Sequence, residues 1–423
     1  MDYYHEVKQC RICGSKNLVP ILSLGEQYAV GFLDDPKEKT IKAPLDLVLC
    51  NVKNGGCGLL QLKHTLDHDI LYRKYWYKSG ISTTMVTALG DIVSSAEKII
   101  KLSAGDIVID IGSNDGTLLR QYKTRGVQTV GFEPSNLWEL GVEGNSKIFH
   151  DYFNYETFSK EYREKKAKII TSIAMFYDLE KPNEFVEDIK KCLDKNGLWI
   201  IQMNYLGLMI ENNTFDNISH EHLEYYSMYS FEHLLKKHEM EAFDVELNDV
   251  NGGSFRIYVK HKDGKVKTAL GAKERLEKLW AYERNMGLET RKPYDEFAKR
   301  IVKIKDDLNT FLDQELKKKK TFYVYGASTR GLVVLQYANV DNKKIKAATD
   351  KNPDKWGKYI VGTGIPIIPV EEYRKKYPDY LFVLPYQFIE EIKNQERDFL
   401  EHGGKMIVAV PKFKIYDKND LRK

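Results

Sequence analysis

The chain is predicted to be an α/β protein with a mostly parallel central sheet covered by helices. A small cysteine-bearing module precedes that sheet, and a second α/β unit, joined to it by helices, follows. Three observations predict this. Four short β-rich runs, VIDIG (108–112), TVGFE (129–133), KIITSI (168–173) and LWIIQM (198–203), alternate with polar segments of helix length, as parallel strands with helical crossovers do. Four of the five cysteines lie within the first 57 residues. A second strand–Gly-turn–helix opening, TFYVYGASTRG, begins at Thr321. At about 150 residues per domain, the 423 residues allow two to three domains. The expected division is 1–75, 76–262, a helical linker 263–319, and 320–423.

Composition narrows the function classes. Apolar residues at 42% and charged residues at 30% fit a globular chain and exclude a disordered or fibrous one. Lys plus Arg is 65 against 61 Asp plus Glu, a formal charge of +4, which gives no electrostatic reason to expect a nucleic-acid or membrane partner. No run approaches the roughly 18 apolar residues of a spanning helix, and MDYYHEVKQC lacks a signal-peptide profile. The expected compartment is cytoplasmic, and the expected state a monomer or weak homo-oligomer.

In a reducing compartment clustered thiols point to metal rather than disulfides. Cys10-x-x-Cys13 is a tight thiolate hook, and Cys50 with Cys57 completes a candidate S4 zinc site, closed and therefore structural. The six residues between Cys50 and Cys57, NVKNGG, read as an inserted turn, and His64 is a substitute ligand.

In the central unit, VIDIGSNDGTLLRQY places a strand, a Gly turn and a helix start in succession. Glycine lets backbone approach a ligand, and helix-start amides favour an electronegative group. Glu133 ends the next strand, 21 residues after Gly112, where a carboxylate can accept from both ribose hydroxyls. The turn is G-x-x-x-G with Asp110 before it, not the G-x-G-x-x-G of nicotinamide cofactors. It resembles motif I of class I methyltransferases, which bind S-adenosylmethionine. The expected cofactor set is Asp110, Gly112, Asn114, Gly116, Glu133, Pro134, Phe153 and Ser172.

Further on, FDNISHEHLEYYS groups His220, Glu221 and His222 ahead of Tyr225 and Tyr226. Histidine suits proton transfer near neutral pH, and three readings stand: acid–base chemistry, a metal site, or a polar helix start. YRKYWYKSG (72–80) offers phenols to the same cleft or packs between domains. Phe297, Ile301, Ile304, Leu308, Phe311 and Leu316 recur at helical spacing after Pro293, and lysines 317–320 suit a helix C-terminus. NGGSFR (251–256) is a Gly turn whose Arg256 fits phosphate or a sugar hydroxyl. Gly326, Ser328, Thr329 and Arg330 form an anion site in principle, and Asp350 is read as a ribose ligand or a turn cap.

Taken together, the motifs resemble those of the nucleotide-sugar C-methyltransferases, which methylate a ring carbon of dTDP-linked keto-deoxysugars. The resemblance runs through the Cys-x-x-Cys module, YWYKSG (75–80), DIGSNDGTLL (110–119), HEH (220–222), NGGSFR, YGASTRG (325–331) and DKNPDKWGKYIVGTGIPI. It implies an S-adenosylmethionine domain between a zinc module and a Rossmann-like C-terminal domain, with a dTDP- or other NDP-sugar bound between domains. It implies His222 as the base that removes the proton α to the ketone, with Glu221 and Tyr77 on other active-site positions and His220 beside them. It makes Gly326, Ser328, Thr329 and Arg330 a diphosphate cradle.

Two positions depart from that pattern. Ser219 stands where the family's Y-H-E-H has tyrosine, and Phe176 stands at the histidine of N-x-x-x-H. Tyr177, Tyr225 and His220 are the candidates to replace those groups. The expected function is C-methylation of a nucleotide-linked keto-deoxysugar. The alternatives are O-methylation of a sugar hydroxyl, or a nicotinamide-dependent sugar oxidoreductase or epimerase.

Overall fold

The computed structural model describes residues 3–29, 31–38, 40–73 and 75–421. The central sheet has seven strands: β1 (Ile107–Ile111), β2 (Gln128–Phe132), β3 (Lys147–Phe149), β4 (Ala167–Ile173), β5 (Leu193–Asn204), β6 (Met240–Asn248) and β7 (Ser254–His261). Their order is β3-β2-β1-β4-β5-β7-β6. The first five pair in parallel, and β7 runs antiparallel between β5 and β6. This is the class I methyltransferase order. Strand order reverses between β1 and β4, so ligands are expected beyond the carboxyl ends of those strands.

β1 is buried at all five positions, as a central parallel strand covered on both faces should be. Ile107, Ile109 and Ile111 face one core with Trp199, Val186 and Phe231. Val108 faces the other, with Leu89, Ile92, Val93 and Ala96 of the helix Thr83–Ile99. Each such side chain contributes about 1.5–3 kcal/mol by leaving water. The expected strands agree with β1, β2 and β4 to within a residue. β5 starts five residues earlier than its apolar run, because Leu193 also pairs with Ala167.

The N-terminal module is a four-stranded antiparallel sheet of Leu18–Tyr28, Lys42–Cys50, Leu60–Leu62 and, at its edge, Glu224–Tyr225. The C-terminal sheet has a parallel centre of Tyr380–Val383, Phe322–Tyr325, Ala347–Asp350 and Ile365–Pro369, and it ends on Phe32–Leu33. The N-terminal region therefore takes one strand from the central unit and gives one to the C-terminal sheet. The stretch expected as a linker forms helices Ala272–Met286 and Lys292–Lys317. Phe297, Ile301, Ile304, Leu308 and Leu312 of the second helix lie in one core with Val324 and Leu332, so this helix is a wall of the C-terminal half. Among the described residues no helix is long and apolar enough to cross a membrane.

Candidate functional site

One cleft of about 800 Å³ opens between the carboxyl ends of β1, β2 and β4 and the C-terminal half. On its central wall, Gly112 ends β1 at φ +70° with Met175 close against it. Glu133 is buried and doubly anchored, its Oε2 accepting from the Asn114 amide (2.7 Å) and its Oε1 from the Ser135 amide (2.9 Å). A carboxylate has about four acceptor sites, so positions remain for ribose hydroxyls. Asp110 accepts from the Thr171 hydroxyl at 2.6 Å, and burial pushes its pKa up to about 8. Asp110, Gly112, Asn114, Glu133, Pro134 and Phe153 all line the cleft, a donor set that fits a ribose-bearing cofactor.

Two residues of the expected set do not line it. Gly116, at φ +75°, is required because a Cβ there would meet Asn145 and Gly141 within 3 Å. Ser172 faces the core and accepts from the Trp199 indole at 3.1 Å. Sequence reasoning also missed a clamp over the cofactor turn. Asn114 donates to the Tyr77 carbonyl and accepts from the Ser79 amide, while Asp115 accepts from the Gly80 amide. YWYKSG is thereby tied down beside the cleft, with Tyr77 half-exposed on its rim.

The two histidines of HEH separate. His220 turns away from the cleft and donates from Nε2 to the Ala43 carbonyl of the N-terminal sheet at 3.0 Å. It is a satisfied core histidine, which corrects the expectation that it joins the catalytic group. His222 lines the cleft with its ring edge-on to Tyr177, centroids 4.3 Å apart. Its Nδ1 lies 2.7 Å from the Asn217 carbonyl, an acceptor only, so Nδ1 carries the proton and the Nε2 lone pair is free. Burial lowers its pKa to about 4, helped by the Arg330 charge. Glu221, also on the cleft, is pushed up to about 7 by burial.

Phe176 packs among Phe185, Trp199, Tyr226 and Phe231, and Ser219 is buried off the cleft. Of the candidate replacements Tyr177 reaches the cleft, and Tyr225 donates to the Asn217 carbonyl at 3.4 Å. Sequence reasoning passed over Asp178, which lines the cleft with its carboxyl raised well above the usual range, first by burial and then by Glu221 and Glu224. The only signal was an acidic residue just beyond β4.

On the C-terminal wall Gly326, Ser328, Thr329 and Arg330 line the cleft. Ser328 caps the helix Thr329–Tyr337. Arg330 is already engaged: it pairs with Asp216 at 2.7 Å and donates to the Asn251 carbonyl and, at 3.1 Å, to the Tyr386 hydroxyl. Its Nε is buried without a hydrogen-bond partner. The expectation that Arg256 meets phosphate or sugar is corrected, for it lies off the cleft, where Asp91 (2.9 Å), Glu246 (3.5 Å) and the Gln202 side-chain Oε1 occupy it. Its strand is internal to the sheet, so the side chain meets the covering helix that carries Asp91 instead of solvent. Asp350 accepts from the Asn352 amide and pairs with Lys355 at 3.2 Å. Lys355 was not anticipated, and it lines the same wall.

The four cysteine sulfurs of the N-terminal module lie within 4.8 Å of one another. Cys10 and Cys57 are 3.4 Å apart, Cys13 and Cys50 3.5 Å. Zinc–sulfur bonds of about 2.3 Å set tetrahedral S···S separations near 3.8 Å, so the set fits zinc with a small outward adjustment. The NVKNGG turn returns the chain to the site, and a Cβ on Gly56 would strike Cys50 Sγ at 2.6 Å. His64 is not part of the cluster and lies 3.7 Å from Asp46.

Comparison with known proteins assigns the three regions separately. Family profiles match a zinc binding domain at residues 10–72, a methyltransferase domain at 87–242 and a C-methyltransferase C-terminal domain at 249–411. The C-methyltransferase NovU of Streptomyces niveus is 28% identical over 422 residues, 98% of each chain. Among solved structures, the mitomycin 7-O-methyltransferase MmcR overlaps 43% of this chain and 55% of its own, with 14% identity and a TM-score of 0.34. The plantazolicin methyltransferase BpumL in complex with SAH overlaps 44% and 84%, with 14% identity and a TM-score of 0.33. By these matches the chain carries a methyltransferase domain together with a zinc-binding module.

Proposed function

We propose that the protein C-methylates a nucleotide-linked keto-sugar, with His222 as the base. One observation carries this reading: the Asn217 carbonyl holds Nδ1 of His222, leaving Nε2 as a lone pair in a cleft shared by the cofactor end of the sheet and the C-terminal half. A carbon α to a ketone must lose a proton before it can act as a nucleophile. An imidazole kept neutral by burial is ready to take that proton across the physiological range. Glu221 beside it in the chain supplies negative charge for the imidazolium that forms. Near pKa 7, that carboxyl ionises with little resistance. S-adenosylmethionine, when bound, supplies an electrophilic methyl group.

Asp110, Gly112, Asn114, Glu133, Pro134 and Phe153 are the residues to hold that cofactor, Glu133 by the ribose. The strand-to-helix turn Gly326–Ser328–Thr329 is the part of this wall that would meet the nucleotide end of the substrate. The likeness to NovU supports carbon as the acceptor atom.

The test is product NMR after turnover with ¹³C-methyl S-adenosylmethionine and a panel of dTDP-, UDP- and GDP-linked keto-sugars. The expected product carries the label on a ring carbon that has lost its proton. A labelled methoxy signal would move the reaction to oxygen, and no turnover of any member would remove the sugar-nucleotide assignment.

A further inference from the structure

Arg330 belongs to the C-terminal half, yet its guanidinium reaches the segment that carries His222. It meets Asp216 at 2.7 Å in an ion pair whose side chains are 16% and 3% exposed. Asp216 lies in the short turn Phe215–Asn217, and the next carbonyl, that of Asn217, receives Nδ1 of His222 at 2.7 Å. The same turn is fastened by the Tyr386 hydroxyl, 3.4 Å from Asp216, and by the Asn217 amide side chain on Thr214 at 3.2 Å. Arg330 also donates to the Asn251 carbonyl, in the turn leading into β7. One guanidinium thus ties together three pieces of chain around the base.

A buried ion pair is a poor source of net stability, because desolvation offsets its attraction. A well-attested use of such pairs is to select one arrangement among several. An arginine suits that task, since its planar fork fixes several acceptors at defined angles where an ammonium fixes none.

We propose that Arg330 is a positioning residue for the base: by pairing with Asp216 it fixes the Asn217 carbonyl, which fixes the His222 ring with Nδ1 protonated and Nε2 toward the cleft. This rests on the reading of His222 as the base. The C-terminal half then contributes to catalysis without touching the reacting carbon. It sets the tautomer, and a base displaced by about 1 Å loses on the order of 10²-fold in rate.

The test uses the full-length zinc-loaded protein with ¹⁵N-histidine. The variants are Arg330→Lys, Arg330→Gln, and the double variant Arg330→Gln/Asp216→Asn, which leaves no unpaired buried charge if a single variant fails to fold. S-adenosylhomocysteine titration reports whether each variant is folded. The primary readout, the ¹⁵N–¹H correlation pattern of His222, needs no substrate. The wild type is expected to show one tautomer protonated at Nδ1. Arg330→Gln and the double variant are expected to show a mixture, with S-adenosylhomocysteine affinity unchanged.

On the keto-sugar nucleotide identified by product NMR, kcat is expected to fall about 10- to 100-fold with KM within a few-fold, and Arg330→Lys to lie between. A folded double variant that keeps the single tautomer and kcat within about twofold would overturn the proposal and leave His222 as the base. A His222→Ala variant with wild-type kcat would instead overturn the base reading and, with it, the catalytic meaning of the latch.

Discussion

Residues 215–226 are gripped from two sides, and the grips differ in kind. After His222 the grip is backbone. Leu62 donates to the Leu223 carbonyl at 2.8 Å, and Glu224 and Tyr225 pair with Gln61 and Leu60 as a strand. Both contacts belong to the N-terminal sheet that also carries Cys50. Before His222 the C-terminal half grips through a buried ion pair, Asp216 with Arg330, reinforced by Tyr386, while His220 reaches back to the Ala43 carbonyl of the N-terminal sheet. A strand ladder holds a chain through many weak, sequence-tolerant bonds. An ion pair holds one turn through one contact that depends on both side chains. On the proposed reading of His222, the cysteine module is a scaffold for this segment and the C-terminal half sets its final orientation.

The largest expected effect falls on the residue both grips serve. His222→Ala is expected to lower kcat by about 10²–10⁴-fold with S-adenosylhomocysteine affinity unchanged by calorimetry, and retained activity would remove the purpose of either grip. Stripping the metal, by chelation or Cys57→Ser, is the next. A structural zinc contributes folding free energy directly, so kcat is expected to fall by about tenfold or more. Cofactor affinity should hold, because Asn114 and Glu133 are anchored within the central sheet. Equal loss of both would show that the module supports the whole domain and not this segment.

Glu133→Ala is the converse control. Losing hydrogen bonds to a charged acceptor, about 1.5–3 kcal/mol, should weaken S-adenosylhomocysteine binding by roughly 10- to 100-fold while the His222 tautomer signal stays as it is.

The smallest effect is on pH. His222 acts when neutral, and burial has lowered its pKa to about 4. The rate should therefore persist as pH falls through the ordinary histidine range near 6.5 and decline only toward 4. Glu221, at about 7, should add a shallow inflection there that Glu221→Gln abolishes. The groups that bear on His222 are the Asn217 carbonyl, the Tyr177 ring and the Arg330 charge. In metal-stripped protein, where the ring gains water, the acid limb should move up toward 6.5.

Much of this arrangement could be read from the chain. The runs around Val108, Thr129 and Lys168 marked β1, β2 and β4, because a buried parallel strand is apolar along its length. The spacing from Gly112 to Glu133 follows from one βαβ step, and the Cys10–Cys13 hook is local. What could not be read was direction. His220 and His222 are two residues apart and chemically identical, yet one serves the N-terminal sheet and the other the cleft. Arg256 and Arg330 each looked available for phosphate because nothing near them in sequence is their partner. Asp91 is 165 residues from Arg256, and Asp216 precedes Arg330 by more than a hundred. Asp178 was passed over because a lone carboxylate carries no signal until burial and its neighbours make it unusual.

The sequence by itself determined the central parallel strands, the clustering of the four cysteines, the glycine turn after β1 and the presence of a histidine suited to proton transfer. Those features depend on backbone sterics, periodicity and spacing over tens of residues. Tertiary structure alone decided which histidine faces the cleft, which nitrogen is free, and which charges are already paired. Those outcomes depend on low-dielectric contacts between segments far apart in the chain. In such contacts a buried polar group takes whichever partner the fold brings within about 3 Å.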